Sequence, residues 1–240
     1  MNDKQPTSGF VSDIGDESDF NSTRHNGGFS NISEAYVSKS GFTRMFSAIR
    51  YGKRYMLKCL KPDFAYTPIY RQALMKEFEI GLQLDHPNIC RTISMEPVGE
   101  LGDCIVMEYV DGETLEAAVK GGNMTEDKVR KIASQLLDAM EYMHAKQTVH
   151  RDIKPSNIML THRGGDVKLI DFGLSDSETF CVLKIPAGTI GYMAPEQLQP
   201  GAKSDPCADI YSFGKVLEYR AQPAQCKRLA SVWQKSDADE

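Results

Sequence analysis

The sequence predicts an α+β fold in which short strands come first and helices dominate the second half. Residues 29–60 alternate between apolar and polar side chains, as half-buried strands do. Residues 125–146 carry one apolar stripe at helical spacing, with Thr125 in the position of an N-cap. The 240 residues are enough for one domain or for a two-lobed unit.

The remaining elements follow from the spacing of apolar residues and from the turn residues between them. A helix is expected over residues 69–84, because Leu74 and Phe78 begin an apolar repeat of four residues. Residues 1–28 are rich in Ser, Asp, Asn and Gly, so we expect a disordered tail there. The expected strands are 32–37, 44–50, 54–59, 90–95, 104–106, 158–160 and 167–170.

Bulk composition narrows the class of partner and the compartment. The net charge of −5 argues against nucleic acid or an anionic membrane as the main partner. The six cysteines are scattered and form no C-x-x-C pair, which indicates reduced thiols in a reducing, cytoplasmic compartment rather than a zinc site. No apolar run reaches 18 residues, so no membrane segment is expected. The oligomeric state stays open.

The most informative stretch is residues 148–173. It contains His150, Arg151, Asp152 and Asn157, followed after a turn by Asp171-Phe172-Gly173. This pattern resembles the catalytic-loop and metal-binding signatures of the eukaryotic-type Ser/Thr protein kinase family. Lys154, two residues after Asp152, is the marker of the Ser/Thr class within that family.

The resemblance implies a bilobal protein kinase-like fold. A small lobe of residues 29–110, including the hinge, would contain an antiparallel sheet and one helix. A mostly helical large lobe of residues 111–240 would be shortened after its central helix, in which Asp209 would cap the backbone of the catalytic loop. The implied activity is transfer of the γ-phosphate of ATP to Ser or Thr hydroxyls of protein substrates, with Mg²⁺ or alternatively Mn²⁺.

The catalytic roles are also implied by the resemblance. Phosphoryl transfer needs an in-line hydroxyl and neutralised phosphate charge. Asp152 would accept the hydrogen bond of the substrate hydroxyl, and Lys154 would contact the transferring phosphate. Asn157 and Asp171 would hold Mg²⁺, a cation that prefers oxygen ligands. Thr189 would hydrogen-bond to Asp152 and Lys154.

Lys58 lies on the third expected strand, where the family has the lysine that contacts the α- and β-phosphates. Its expected partner on the helix is Glu77, which shares a face with Leu74, and Glu79 is the alternative. Gly81 is unusual inside this helix, because glycine costs about 1 kcal/mol there relative to alanine.

The adenine pocket is expected to be lined with methionine. Met107 would be the gatekeeper, and the backbones of Glu108 and Val110 would hydrogen-bond to adenine. Thr114 or Glu113 would reach the ribose, with helix capping as an equally good interpretation for either. The methionines at the positions that sandwich adenine in the family are Met45, Met56 and Met159; ordinary core packing would select the same residue type.

The phosphate-covering loop departs from the family. Ser38, Ser40 and Thr43 replace the three pattern glycines, and only the off-pattern Gly41 remains. Glycine allows backbone amides to approach phosphate closely. The replacement therefore puts nucleotide affinity in question, and not the fold.

The activation segment contains candidate regulatory residues. Arg151 is a cation beside the predicted catalytic aspartate, and a phosphate on Ser177 or Thr179 would pair with it and order the segment. Asp176 and Glu178 are the rival interpretation, as constitutive acidic partners.

Two alternatives to an active protein kinase remain. A nucleotide-binding pseudokinase or scaffold is favoured by the altered phosphate loop and the short large lobe. A small-molecule kinase would share the two aspartates, but it would usually lack the docking loop from Gly188 to Glu196 that this chain has.

Overall fold

The structure, a computed structural model, describes residues 27–37, 41–122, 124–173, 175–177, 189–198 and 205–220. The strands are β1 Ser30–Val37, β2 Thr43–Arg50, β3 Lys53–Leu60, β4 Thr92–Pro97, β5 Asp103–Glu108, β6 Gly112–Thr114, β7 Thr148–Val149, β8 Ile158–Thr161, β9 Val167–Leu169 and β10 Asp176–Ser177. The α-helices are α1 Pro68–Leu82, α2 Leu115–Lys120, α3 Glu126–Ala145 and α4 Pro206–Arg220. This is the predicted α+β fold, with a strand-rich first part and a helical second part.

The first part is an antiparallel sheet in the order β1-β2-β3-β5-β4. Because side chains alternate between faces of a strand, Leu57 and Lys58 point to opposite sides of β3. Leu57 joins a buried apolar cluster with its cross-strand neighbours Phe46 and Val106. Lys58 therefore lies on the other face, next to Ile105 and α1.

Helix α1 packs against this sheet through residues from its middle and end. Its buried positions are Ala73, Leu74, Glu77, Ile80 and Gly81. Pro68 occupies the first turn, where its missing N–H costs nothing. The helix ends at Leu82, two residues before the predicted end.

The described residues of the second part form three more α-helices and two small sheets, β6-β8-β9 and β10-β7. Helix α3 begins where Thr125 accepts a hydrogen bond from the amide of Lys128, as expected for an N-cap. Its apolar stripe contributes Leu136 and Met140 to the largest buried cluster, which also contains Ile80 and Phe172. The end of α1 and the second part thus share one core.

The strand expected over residues 90–95 is wrong at its start, since β4 begins at Thr92. The backbone amide of Cys90 instead donates to the carbonyl of Leu169 over 2.8 Å, and Ile89 forms a parallel bridge with Leu169. These backbone groups are occupied by β9, a strand distant in sequence, so they do not extend β4.

No helix within the described ranges is long and apolar enough to cross a membrane.

Candidate active site

The loop after β7 positions Asp152 in a network of hydrogen bonds. The Lys154 ammonium lies 2.6 Å from Asp152 Oδ2, and the Asn157 amide donates to the same oxygen over 3.0 Å. Thr189 donates to Asp152 Oδ1 over 2.8 Å and accepts from Lys154 over 2.7 Å. The structure therefore brings together the four residues that the sequence predicts as catalytic, and both oxygens of the carboxylate have a fixed orientation.

The backbone of this loop is held by α4. Asp209 is fully buried and accepts hydrogen bonds from the amides of His150 and Arg151, each over 2.8 Å. Arg151 has a φ of 69°, a left-handed conformation that non-glycine residues seldom adopt. His144 is the third group on Asp209, at 2.9 Å. A buried carboxylate thus holds a strained turn directly before Asp152.

His150 connects this loop to the segment that carries Asp171. One ring nitrogen, Nδ1, accepts from the amide of Asp152 over 3.3 Å, and Nε2 lies 3.2 Å from the carbonyl of Ile170. The ring also packs against Phe172, with 5.2 Å between centroids. These contacts fix the separation between Asp152 and the carboxylate of Asp171.

Lys58 reaches across from the sheet to two carboxylates. Its ammonium lies 2.5 Å from Glu77 Oε1 and 2.6 Å from Asp171 Oδ1. Glu77, and not the alternative Glu79, is therefore the partner of Lys58. Lys58 and Glu77 are buried, whereas the side chain of Asp171 is 45% exposed.

Lys58, Glu77 and Asp171 shift one another's pKa values. Burial alone would lower the pKa of Lys58, but attraction first to Asp171 and then to Glu77 outweighs it and raises that pKa well above its usual value. Burial raises the pKa of Glu77 against the pull of Lys58. Burial opposes ionisation of Asp171 too, yet attraction to Lys58 lowers its pKa to about 2. Asp171 is therefore held ionised, as its predicted role as a metal ligand requires.

Asn157 and Asp171 present oxygen atoms suited to a hard cation. Asn157 uses its amide nitrogen for Asp152, over 3.0 Å to both Oδ2 and the backbone carbonyl, so its amide oxygen is directed elsewhere. No group of three or more His, Cys, Asp or Glu side chains in the described ranges is arranged to hold a metal ion. One carboxylate and one amide fit Mg²⁺, which takes its other ligands from water and substrate phosphates.

Gly173 lies beside Glu77 and Asp171 and leaves them space because it has no side chain. A Cβ atom there would lie 3.2 Å from Glu77 Oε2 and 3.3 Å from Asp171 Oδ1. Both distances are tighter than ordinary packing, so glycine is the residue that lets the two carboxylates approach Lys58.

The predicted adenine residues lie on the Lys58 face of the sheet. Met45 is the cross-strand neighbour of Lys58, and Met56 is two residues before it, opposite Met107. Because directly opposed residues point to the same face, all three methionines share the side of the sheet that carries Lys58.

The hinge is fixed by a contact that the sequence did not indicate. Glu108 accepts from the Lys168 ammonium over 2.6 Å and from the amide of Arg91 over 2.9 Å. Lys168 lies three residues before Asp171, so this ion pair connects the predicted hinge to the segment that carries the predicted metal ligand. Val110, which follows in the hinge, is 9% exposed.

Thr114 has the capping role that the sequence left open. Its hydroxyl accepts from the amide of Ala117 over 3.2 Å at the start of α2. Met159 is its cross-strand neighbour in β8. Thr114 and Met159 are therefore opposed in the sheet β6-β8-β9, which follows the predicted hinge in sequence.

Several predicted residues fall outside the described ranges. Ser38, Ser40 and Thr179 are among them, whereas Gly41 is described and Thr43 opens β2 opposite Leu60. The backbone of Ser177 pairs with Thr148 in the β10-β7 sheet, and its side chain is outside the description. Their predicted roles remain predictions.

Comparison with known proteins identifies the class. The family model for the protein kinase domain matches residues 39–223, so the chain belongs to the protein kinase family. It is 41% identical over 174 residues to mitogen-activated protein kinase kinase 9 of Arabidopsis thaliana, covering 68% of this chain and 53% of that protein. It is 36% identical over 167 residues to the serine/threonine-protein kinase PrkC of Bacillus subtilis, covering 67% and 25% respectively. The chain thus spans about half or less of these relatives.

Proposed function

We propose that this chain is a Ser/Thr protein kinase that transfers the γ-phosphate of ATP to protein hydroxyls, with Mg²⁺ as the working metal and Mn²⁺ as a substitute. The observation that carries the proposal is the network of Asp152, Lys154 and Thr189, with 2.6 to 2.8 Å between its members. Similarity to Ser/Thr kinases supports the same conclusion.

The proposed mechanism divides the work among these side chains. Asp152 accepts the proton of the substrate hydroxyl, because a carboxylate has a lone pair beyond those used by Lys154, Asn157 and Thr189. Lys154 then lies beside the phosphate in transfer and offsets its charge. Bound Mg²⁺ would neutralise phosphate charge, held by Asn157 and Asp171.

Lys58 supplies the second cation of the proposed mechanism. Its pKa is raised by Asp171 and Glu77, so it stays protonated throughout the physiological range. A permanent cation at the end of β3 favours the α- and β-phosphates of ATP over a nucleoside without phosphates. Glu77 prevents the ammonium from turning away from that position.

Regulation by phosphorylation is part of the proposal. β10 lies against β7, so the backbone of Ser177 pairs with a strand that leads into Arg151. Thr179 follows Ser177 by two residues in the sequence. A phosphate there would add a charge-assisted partner for the guanidinium. A reducing intracellular location fits the free thiols of Cys59, Cys90 and Cys104 in the described part.

One mass-spectrometric experiment tests these points together. The protein is incubated with ATP, a generic basic protein and either Mg²⁺ or Mn²⁺, and all phosphorylated residues are mapped. We expect phosphate on Ser and Thr of the added protein, and on Ser177 or Thr179 of the enzyme. ATP binding without any transfer would instead support the scaffold, and phosphorylated small molecules without phosphoprotein would support a small-molecule kinase.

A further inference from the structure

Gly81 is a helix-destabilising residue in the interior of α1. It lies inside α1 and is buried. Glycine there costs about 1 kcal/mol relative to alanine, so the residue needs another reason.

The reason is close approach to the sheet. A Cβ atom at Gly81 would clash with Thr92 Oγ1 and lie 3.1 Å from Thr92 Cβ. Thr92 is 8% exposed and opens β4, where it is paired with Met107 of β5. The strand is thus anchored in the sheet, and α1 is close enough to Thr92 that no side chain fits between them.

This contact lies one helical turn from the Lys58 partner. Glu77 and Gly81 are four residues apart, so they share a face of α1. Glu77 reaches Lys58 on β3, and Lys58 is paired with Ile105 of β5. The same strand β5 is paired with Thr92 of β4 through Met107. The depth at which α1 packs on this part of the sheet therefore sets the reach of Glu77.

We propose that Gly81 and Thr92 are positioning residues, a steric stop that sets the distance of α1 from the sheet and so places Glu77 on Lys58. The consequence for catalysis rests on the proposed kinase function. The consequence for the position of α1 does not, because it follows from packing alone.

Gly214 provides a matched control inside another helix. It lies within α4, and a Cβ atom there would meet no atom of the described residues within 4 Å. Gly214→Ala should therefore give only the gain in helix propensity. Gly81→Ala adds the same methyl group where Thr92 already occupies the space.

The test compares Gly81→Ala, Gly214→Ala and the double variants Gly81→Ala/Thr92→Ala and Gly81→Ala/Thr92→Val. We expect Gly81→Ala to lower kcat/KM for ATP by about 10²-fold, because displacements near 1 Å at a catalytic group have effects of that size. Thr92→Ala removes the clashing oxygen and should restore about tenfold of the loss. Thr92→Val keeps a group of the same size and should not.

Two further measurements separate positioning from general stability. In the Gly81→Ala background, Glu77→Gln should cause little additional loss, because both changes act through the Lys58 contact. Hydrogen exchange of the α1 amides, measured without ATP, should be faster in Gly81→Ala and recover in the Thr92→Ala double variant. If Gly81→Ala alone does not fold, the proposal predicts that the Gly81→Ala/Thr92→Ala protein folds again. The Gly81→Ala/Thr92→Val protein should stay unfolded.

The proposal is overturned if Gly81→Ala has the same kcat/KM and hydrogen exchange as Gly214→Ala. It is also overturned if Thr92→Ala restores no more of the activity lost in Gly81→Ala than Thr92→Val does. Failure of the kinase function has a different signature. The unsubstituted protein would then transfer no phosphate, while the pattern of hydrogen exchange across the variants would still decide the steric stop.

Discussion

At the scale of single residues, the site depends on how one cation is shared between two carboxylates. Lys58 contacts both Glu77 and Asp171, but the two acids respond differently. Glu77 is buried and its pKa is raised, whereas Asp171 is partly exposed and its pKa is lowered to about 2. Asp171 is therefore held ionised, so that its carboxylate is suited to the proposed metal ion.

This difference predicts a pH dependence of stability. A carboxyl whose pKa falls from its ordinary value of about 3.9 to about 2 on folding stabilises the protein above pH 4. That contribution is lost as the pH falls from about 4 towards 2. The unfolding free energy of the natural protein should therefore drop more steeply in this window than that of Asp171→Asn, as measured by urea denaturation.

The pH range also distinguishes the contribution of Asp171 from that of Glu77. The raised pKa of Glu77 contributes stability that is present below its ordinary value of about 4.3 and is lost as the pH rises. Asp138→Asn, a change at an exposed position of α3, controls for the removal of one carboxyl. Parallel curves for the natural protein and Asp171→Asn below pH 4 would contradict the assignment.

At the scale of elements, α4 has a task beyond packing. Its first turn delivers Asp209 to the amides of His150 and Arg151. The sequence could predict this contact because the family resemblance covers both segments. It could not predict the contact of His144 with the same carboxylate, which arises only when α3 and α4 pack together.

Asp209→Ala should therefore reduce both stability and activity. The amides of His150 and Arg151 would lose their acceptor, and each loss would lower the free energy of unfolding by about 1–3 kcal/mol. The left-handed turn at Arg151 would also lose the hydrogen bond that holds it. Asp205→Ala is the control at the start of the same helix, because Asp205 is exposed and its carboxylate accepts from the amide of Cys207 over 2.8 Å. That change should cost about 0.5–2 kcal/mol and leave turnover nearly unchanged. Equal losses of turnover in both variants would contradict the role of Asp209.

At the scale of the whole molecule, the sequence predicted what lies within contiguous motifs and missed what long-range packing creates. Asp152, Lys154 and Asn157 occur within six residues, so their proximity required no knowledge of the fold. The start of β4 was wrong because Leu169 takes the backbone of Cys90. The Lys168–Glu108 pair was missed because its members are 60 residues apart in sequence.

The sheet and helix α1 show the same difference between what the sequence predicts and what only the structure reveals. Strand alternation places Met45, Met56 and Lys58 on one face, and the sequence contains that information. The closeness of α1 to β4 is a tertiary distance, and only the structure explains why Gly81 is tolerated in a helix.

The most direct test of the account is phosphoryl transfer by Asp152→Asn beside Asp138→Asn and the natural protein. Asn keeps the shape of Asp152 and removes its capacity to accept the substrate proton. We expect Asp152→Asn to bind ATP normally and to transfer phosphate at least about 10²-fold more slowly, the usual scale of a general-base contribution. Asp138→Asn should match the natural protein. Equal transfer rates in all three proteins would contradict the central claim that Asp152 is the catalytic base.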